Sequence, residues 1–92
     1  MNITTQFHGI LADWVGTPSA SFELTQGSTL TDLMLEIGRR YRQNMPDQLW
    51  NQKTNSFNKK VRAFKDAKAL DPANNLLADG DVITFMVLIA GG

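Results

Sequence analysis

Cysteine is missing from this chain of 92 residues, and histidine occurs once. Without a thiol there is no disulfide, no iron–sulfur cluster, no thiolate zinc site and no cysteine nucleophile. A lone imidazole, His8, cannot build a histidine metal cluster, and it stands isolated from any candidate nucleophile, so it reads as a surface or partly buried residue rather than a catalytic base. The phosphate-loop pattern G-x-x-x-x-G-K-[ST], the dinucleotide pattern G-x-G-x-x-G and the zinc-protease pattern H-E-x-x-H are absent as well. No apolar run approaches the roughly 20 residues that cross a bilayer, and the opening MNITTQFHG has neither the basic stretch nor the apolar run of a signal peptide. The expectation is a soluble, cytoplasmic protein that holds no metal or cofactor of its own and is not a self-sufficient enzyme.

What is present suits one domain over residues 1–92. Hydrophobic residues make up 42% of the chain, enough for a single core, and a chain of this length buries roughly 60–65% of its unfolded surface. Net charge is zero, yet the charges are segregated. All nine Lys and Arg lie between Arg39 and Lys68, where the acids are Asp47 and Asp66, so this segment carries +7 and the remainder −7. Such segregation fits a solvated face, or a surface for an acidic partner or a nucleic acid. Phe57 and Phe64 within and beside NKKVRAFK resemble a nucleic-acid surface weakly; zero net charge and the lack of an aromatic pair on one strand face point away from nucleic acid.

ITTQFHGIL nearly alternates, with Ile3, Thr5 and Phe7 on one side and Thr4, Gln6 and His8 on the other, which predicts a half-buried strand. ADWVGTPSA is punctuated by Gly16 and Pro18, and Phe22 and Leu24 mark a second strand, so a β-hairpin with a loop of moderate length opens the fold. In STLTDLMLEIGRRYRQ the period changes. Leu30, Leu33, Met34, Ile37 and Tyr41 form one helical stripe; Ser28 or Thr29 can cap it, Asp32 sits in its first turn, and Arg39, Arg40 and Arg42 suit its negative end. Gly38 inside this helix costs about 1 kcal/mol relative to alanine, which points to a close approach to the sheet.

Pro46 ends the regular pattern, and DQLWNQ is expected to form a short turn anchored by Leu49 and Trp50. NQKTNSFNKK reads as a surface loop, KVRAFK as a short basic strand, and DAKALDPANNLLADGD as an irregular connection that Leu76 and Leu77 can pin to the core. VITFMVLI is the most strand-like stretch, entered through Asp79-Gly80-Asp81, whose aspartates read as turn formers rather than cation ligands. Being the most hydrophobic strand, it should run centrally and parallel to the first, with the helix crossing one face. The expected fold is α+β, a β-grasp: a mixed sheet of about four to five strands with one main helix packed on one face.

The end of the chain carries the most specific pattern. LLADGDVITFMVLIAGG sets a leucine before D-G-D, then an alternating strand, then A-G-G. It resembles the C-terminal signature of the ubiquitin-like sulfur carriers of the MoaD/ThiS family, without a gap from Asp79 to Gly92. FHGILADWVG and TLTDLMLEI are similar to the opening and the helix start of that family's molybdopterin synthase small subunit, and about half the chain takes part in the likeness.

The resemblance implies that a partner activating enzyme uses ATP to adenylate the carboxylate of Gly92, which becomes a thiocarboxylate and donates sulfur for molybdopterin, the ligand of a molybdenum or tungsten cofactor. Gly91 and Gly92 have no side chains to obstruct a narrow channel. His8, Met86, Leu88, Ile89 and Ala90 are the implied partner contacts, the last three in a flexible tail spanning 88–92, presented to the activating enzyme and to the synthase large subunit in turn. In the last strand Ile83 and Phe85 should point under the helix and Val82, Thr84 and Met86 outward. Three departures stand out: Val87-Leu88 where the family carries Pro-Pro, His8 where an aromatic residue is common, and a longer, more basic stretch from Met45 to Asn75. Other destinations stay open: thiazole synthesis or another sulfur pathway, a modifier joined to lysines of other proteins, and an interaction module whose basic segment binds an acidic partner.

Overall fold

The structure, a computed structural model, describes residues 1–71 and 75–88. Its elements run β1 (Asn2–Phe7), α1 (Ile10–Val15), β2 (Ser19–Glu23), α2 (Leu30–Tyr41), a 3-10 turn (Arg42–Asn44), β3 (Trp50–Asn51), β4 (Ser56–Phe57), β5 (Val61–Lys65), β6 (Lys68–Ala69) and β7 (Val82–Val87). Five of the strands form one mixed sheet in the order β2-β1-β7-β5-β6. β7 lies parallel to β1 and antiparallel to β5, with Phe85 opposite Phe7 on one side and Ala63 on the other. The central place of β7 follows from its composition: a strand with neighbours on both edges and apolar residues on both faces is held best in the interior of a sheet. Among the described residues no helix is long and apolar enough to cross a membrane.

One face of the sheet is dry. Ile3 and Phe7 of β1, Phe22 of β2, Ile83 and Phe85 of β7, and Val61 and Ala63 of β5 meet Leu33 and Ile37 of α2 there. Thr5 shares that buried side, and its hydroxyl donates to the Ala20 carbonyl at 3.1 Å, which removes most of the cost of burying it. Aromatic rings run through the core in a chain. Phe7 stacks on Phe85 with centroids 5.9 Å apart, Phe57 leans on Phe85 at 5.2 Å, and Trp50 meets Phe57 edge-on at 5.1 Å. Helix α2 starts in a capping box, with the Thr29 N–H donating to Asp32 Oδ2 at 2.9 Å.

Three stretches differ from expectation. The strand expected over ITTQFHGIL ends at Phe7, and Ile10–Val15 form α1, whose Leu11 and Val15, spaced i and i+4, are fully buried. The expected surface loop at 51–60 contributes to a two-stranded sheet of β3 and β4, registered Trp50 to Phe57, and both of these side chains enter the core. The stretch after Lys65 folds back as β6 through Asp66 and Ala67, both at positive φ. A strand of two residues shows no alternation, and a helix of six spans less than two turns, so neither displays its period in the sequence. Leu77 is buried as expected, whereas Leu76 is 64% exposed.

Gly38 does make a close approach, but its partner is Trp50 rather than the main sheet. The strand-entry turn behaves as its residues require. Gly80 takes φ +86° and donates its N–H to the Asn2 carbonyl at 2.9 Å, while Asp79 Oδ1 accepts the Asn2 N–H at 2.7 Å. Asp81 Oδ2 accepts from the Ala78 N–H at 2.8 Å and from Lys65 Nζ at 2.9 Å. The turn thereby clips the start of β7 to β1 and β5. Asp81→Ala removes one acceptor from both donors and should lower stability by about 1–3 kcal/mol, measured as a fall in the urea midpoint at unchanged m-value.

Candidate functional site

Because β1 and β7 are parallel, both finish at the same end of the sheet, and α1 leaves from that end too. The chain beyond β7 therefore departs beside α1. Leu88 is still held: its N–H donates to the Lys60 carbonyl at 2.7 Å, and its side chain is 42% exposed. Ile89, Ala90, Gly91 and Gly92, named from the sequence as tail and reactive end, lie outside the described residues.

The solvent face of the sheet is set by the parity of the strands. In β7, Ile83 and Phe85 are fully buried under α2, while Val82 is exposed and Thr84 and Met86 are half-buried on the other side. Met86 pairs in register with Arg62 of β5. His8 lies one position past the registered pair Phe7–Phe85, and its N–H donates to the Phe85 carbonyl at 3.0 Å. The parallel ladder thus brings His8 level with Met86, so His8, Met86 and Arg62 form one row across three strands at the end from which the tail leaves. The row presents an imidazole, a thioether and a guanidinium. The methionine is polarizable and flexible enough to adapt to different apolar surfaces.

Beside the same end runs a groove of about 340 Å³ lined by Trp14, Gln48, Leu49, Asn58, Lys60, Val61 and Val87. Trp14 is 36% exposed at this groove, whereas Trp50 is in the core. The groove was not anticipated. The available signal was α1 itself: Leu11 and Val15 occupy its inner face, which leaves Ile10 and Trp14, also i and i+4, facing outward. Among the described residues no group of three or more His, Asp or Glu side chains is placed to hold a metal ion, and the carboxylates of Asp79 and Asp81 are engaged in the turn.

The fold recurs in solved structures. SAMP1 from Haloferax volcanii superposes with a TM-score of 0.80 at 12% identity, over 100% of both chains. A putative molybdopterin converting factor subunit 1 from Pyrococcus furiosus gives 0.73 at 16% identity, covering 97% of this chain and 99% of that one. Urm1 from Trypanosoma brucei gives 0.71 at 20% identity, covering 99% and 95%. At these identities the likeness is one of fold. No curated protein matches the chain in sequence. The family model described as ThiS family matches residues 5–92.

Proposed function

The chain belongs to the ThiS family, and on that premise we propose that it is a carrier protein whose Gly92 carboxylate is activated by a partner enzyme and loaded with sulfur. A carboxylate is a poor electrophile. Attack of its oxygen on the α-phosphorus of ATP forms an acyl-adenylate and expels pyrophosphate; attack of a hydrosulfide on the acyl carbon then forms a C–S bond, breaks the C–O bond and releases AMP. The product is a thiocarboxylate, which can hand its sulfur to an acceptor. The chain supplies none of the catalytic groups: it supplies a rigid sheet, a docking row and a reach of backbone without bulky side chains at its end.

The observation that carries this reading is the match of the family model through Gly92, next to a central strand that delivers those residues from one end of the sheet. The acceptor we favour is a pterin precursor of the molybdenum or tungsten cofactor, reached through a synthase large subunit. Support comes from the likeness of the sequence to the molybdopterin synthase small subunit and from the Pyrococcus structure described as a molybdopterin converting factor subunit. A second destination has an observation of its own. A further structure matched over 96% of this chain is described as a small archaeal modifier protein, and the same acyl-adenylate, attacked by a lysine amine, would give an amide with another protein.

The test is release of pyrophosphate from ATP when an adenylating enzyme from the same organism that acts on carriers of this family is mixed with it. Release that depends on the chain supports activation, and its absence removes the reading. Transfer of sulfur to a pterin precursor then separates the first destination from lysine conjugates, which peptide mapping detects. Within this scheme Met86→Glu should leave the fold intact, because position 86 is only half-buried and faces Arg62. It should raise the KM for activation about tenfold by putting a charge at the centre of the docking row.

A further inference from the structure

We propose that the groove beside the end of β7 is a socket for the activating enzyme, filled by an apolar side chain that the enzyme presents between carboxylates. This rests on the carrier reading above and names the chemistry of the partner surface. The short reach of the tail brings the enzyme close to this end of the sheet. Leu88 is fixed to Lys60 through its backbone, and the four residues beyond it span at most about 14 Å when fully extended. An enzyme that acts on Gly92 must therefore bring the mouth of its channel within that distance of Leu88, and the groove, lined by Val87, lies inside that radius. An enzyme that closes over this end gains by filling the groove, since Trp14, 36% exposed there, would otherwise lose water without gaining contacts.

The lining fixes what fills it. Its walls are apolar through Trp14, Leu49, Val61 and Val87, its one charged member is Lys60, and no lining residue is acidic. Lys59 and Lys60 precede β5, and Arg62 within β5 faces the solvent side of the sheet. The ion pairs among the described residues are Arg39–Glu36 and Lys65–Asp81, so Lys59, Lys60 and Arg62 have no ionic partner there. An apolar pocket with the unpaired Lys60 in its wall is complementary to an apolar anchor flanked by acidic residues, with the anchor giving affinity and the charge giving register and rate of encounter. The sequence is consistent with this use, because the basic segment that departs from the family pattern supplies Lys60 and its neighbours.

Steady-state activation of the full-length chain by its own activating enzyme tests the socket. Lys60→Glu and Trp14→Ser should each raise KM about tenfold or more with kcat changed less than twofold, and the Lys60→Glu effect should shrink as salt rises. Lys53→Glu, in the exposed turn between β3 and β4, should leave KM unchanged. Lys60 is exposed and offers its backbone, not its side chain, to Leu88, so Lys60→Glu stays informative even if Trp14→Ser misfolds. A wild-type chain that is activated while Lys60→Glu shows an unchanged KM overturns the socket alone. A wild-type chain that is never activated overturns the carrier reading and the socket together.

Discussion

Gly38→Ala should destabilise the domain by about 2 kcal/mol or more, even though the same change at an exposed helix position stabilises a protein by about 1 kcal/mol. The reversal of sign comes from Trp50. An added Cβ at position 38 would overlap Cζ2 of the indole and lie 3.1 Å from Cε2 and 3.2 Å from Cη2. The ring cannot move aside: it is 2% exposed, and Phe57 stands edge-on against it, itself packed on Phe85. Adding one methyl here therefore pushes α2 off β3 and β4 or forces the indole from its rotamer, each a recognised cost of overpacking. For a domain of this size each kcal/mol lowers the melting temperature by roughly 4–8 °C, so thermal unfolding resolves the effect easily. Trp50→Phe in the Gly38→Ala background should recover part of the loss. It removes the carbons that collide, together with an indole N–H that is buried without a hydrogen-bond partner among the described residues. A Gly38→Ala protein as stable as the parent would mean that the ring has room it is not shown to have.

Deletion of Gly92 should abolish sulfur loading while leaving stability unchanged. Among the described residues none of the core lies beyond β7, and the last described backbone contact, Leu88 to Lys60, is made four residues before Gly92. Folding therefore has nothing to lose. The proposed chemistry loses its reacting group, because the shortened chain ends on Gly91 with its carboxylate withdrawn by one residue, about 3.5 Å. A displacement of that size is large against the tolerance of about 1 Å beyond which rates fall a hundredfold. Sulfur loading should drop below detection, and the KM-determining contacts at Met86 and the groove should keep the deleted chain an effective competitor of the intact one. An interaction module that uses its basic segment would behave oppositely, with binding untouched and no loading to lose.

How much of this was legible in the sequence depends on element length. Helix α2 showed itself through a stripe from Leu30 to Tyr41 that spans three turns, and β7 through apolar residues on both faces, which also fixed its central place and its parallel partner. The outward row followed from parity: once β1 and β7 are parallel and adjacent, His8 and Met86 must share a face. Short elements gave no such signal, so α1 and the β3–β4 pair read as loops. The partner of Gly38 was hidden for a different reason. Glycine in a helix announces that something comes close, but Trp50 is delivered by a reversal of the chain after Pro46, where the Leu49 and Trp50 N–H groups both donate to the Pro46 carbonyl, and no local pattern encodes which residue that reversal brings back. The groove was hidden most thoroughly, since Trp14, Leu49, Lys60 and Val87 come from four separate segments and meet only once the sheet is assembled.

The central claim is that Gly92 carries the sulfur. Intact mass of the chain after incubation with its activating enzyme, ATP and hydrosulfide reads this out. The account predicts a single replacement of oxygen by sulfur, located at Gly92 by fragmentation and absent when ATP is withheld. A chain whose mass stays unchanged, while the same enzyme preparation loads another carrier of this fold, would contradict it.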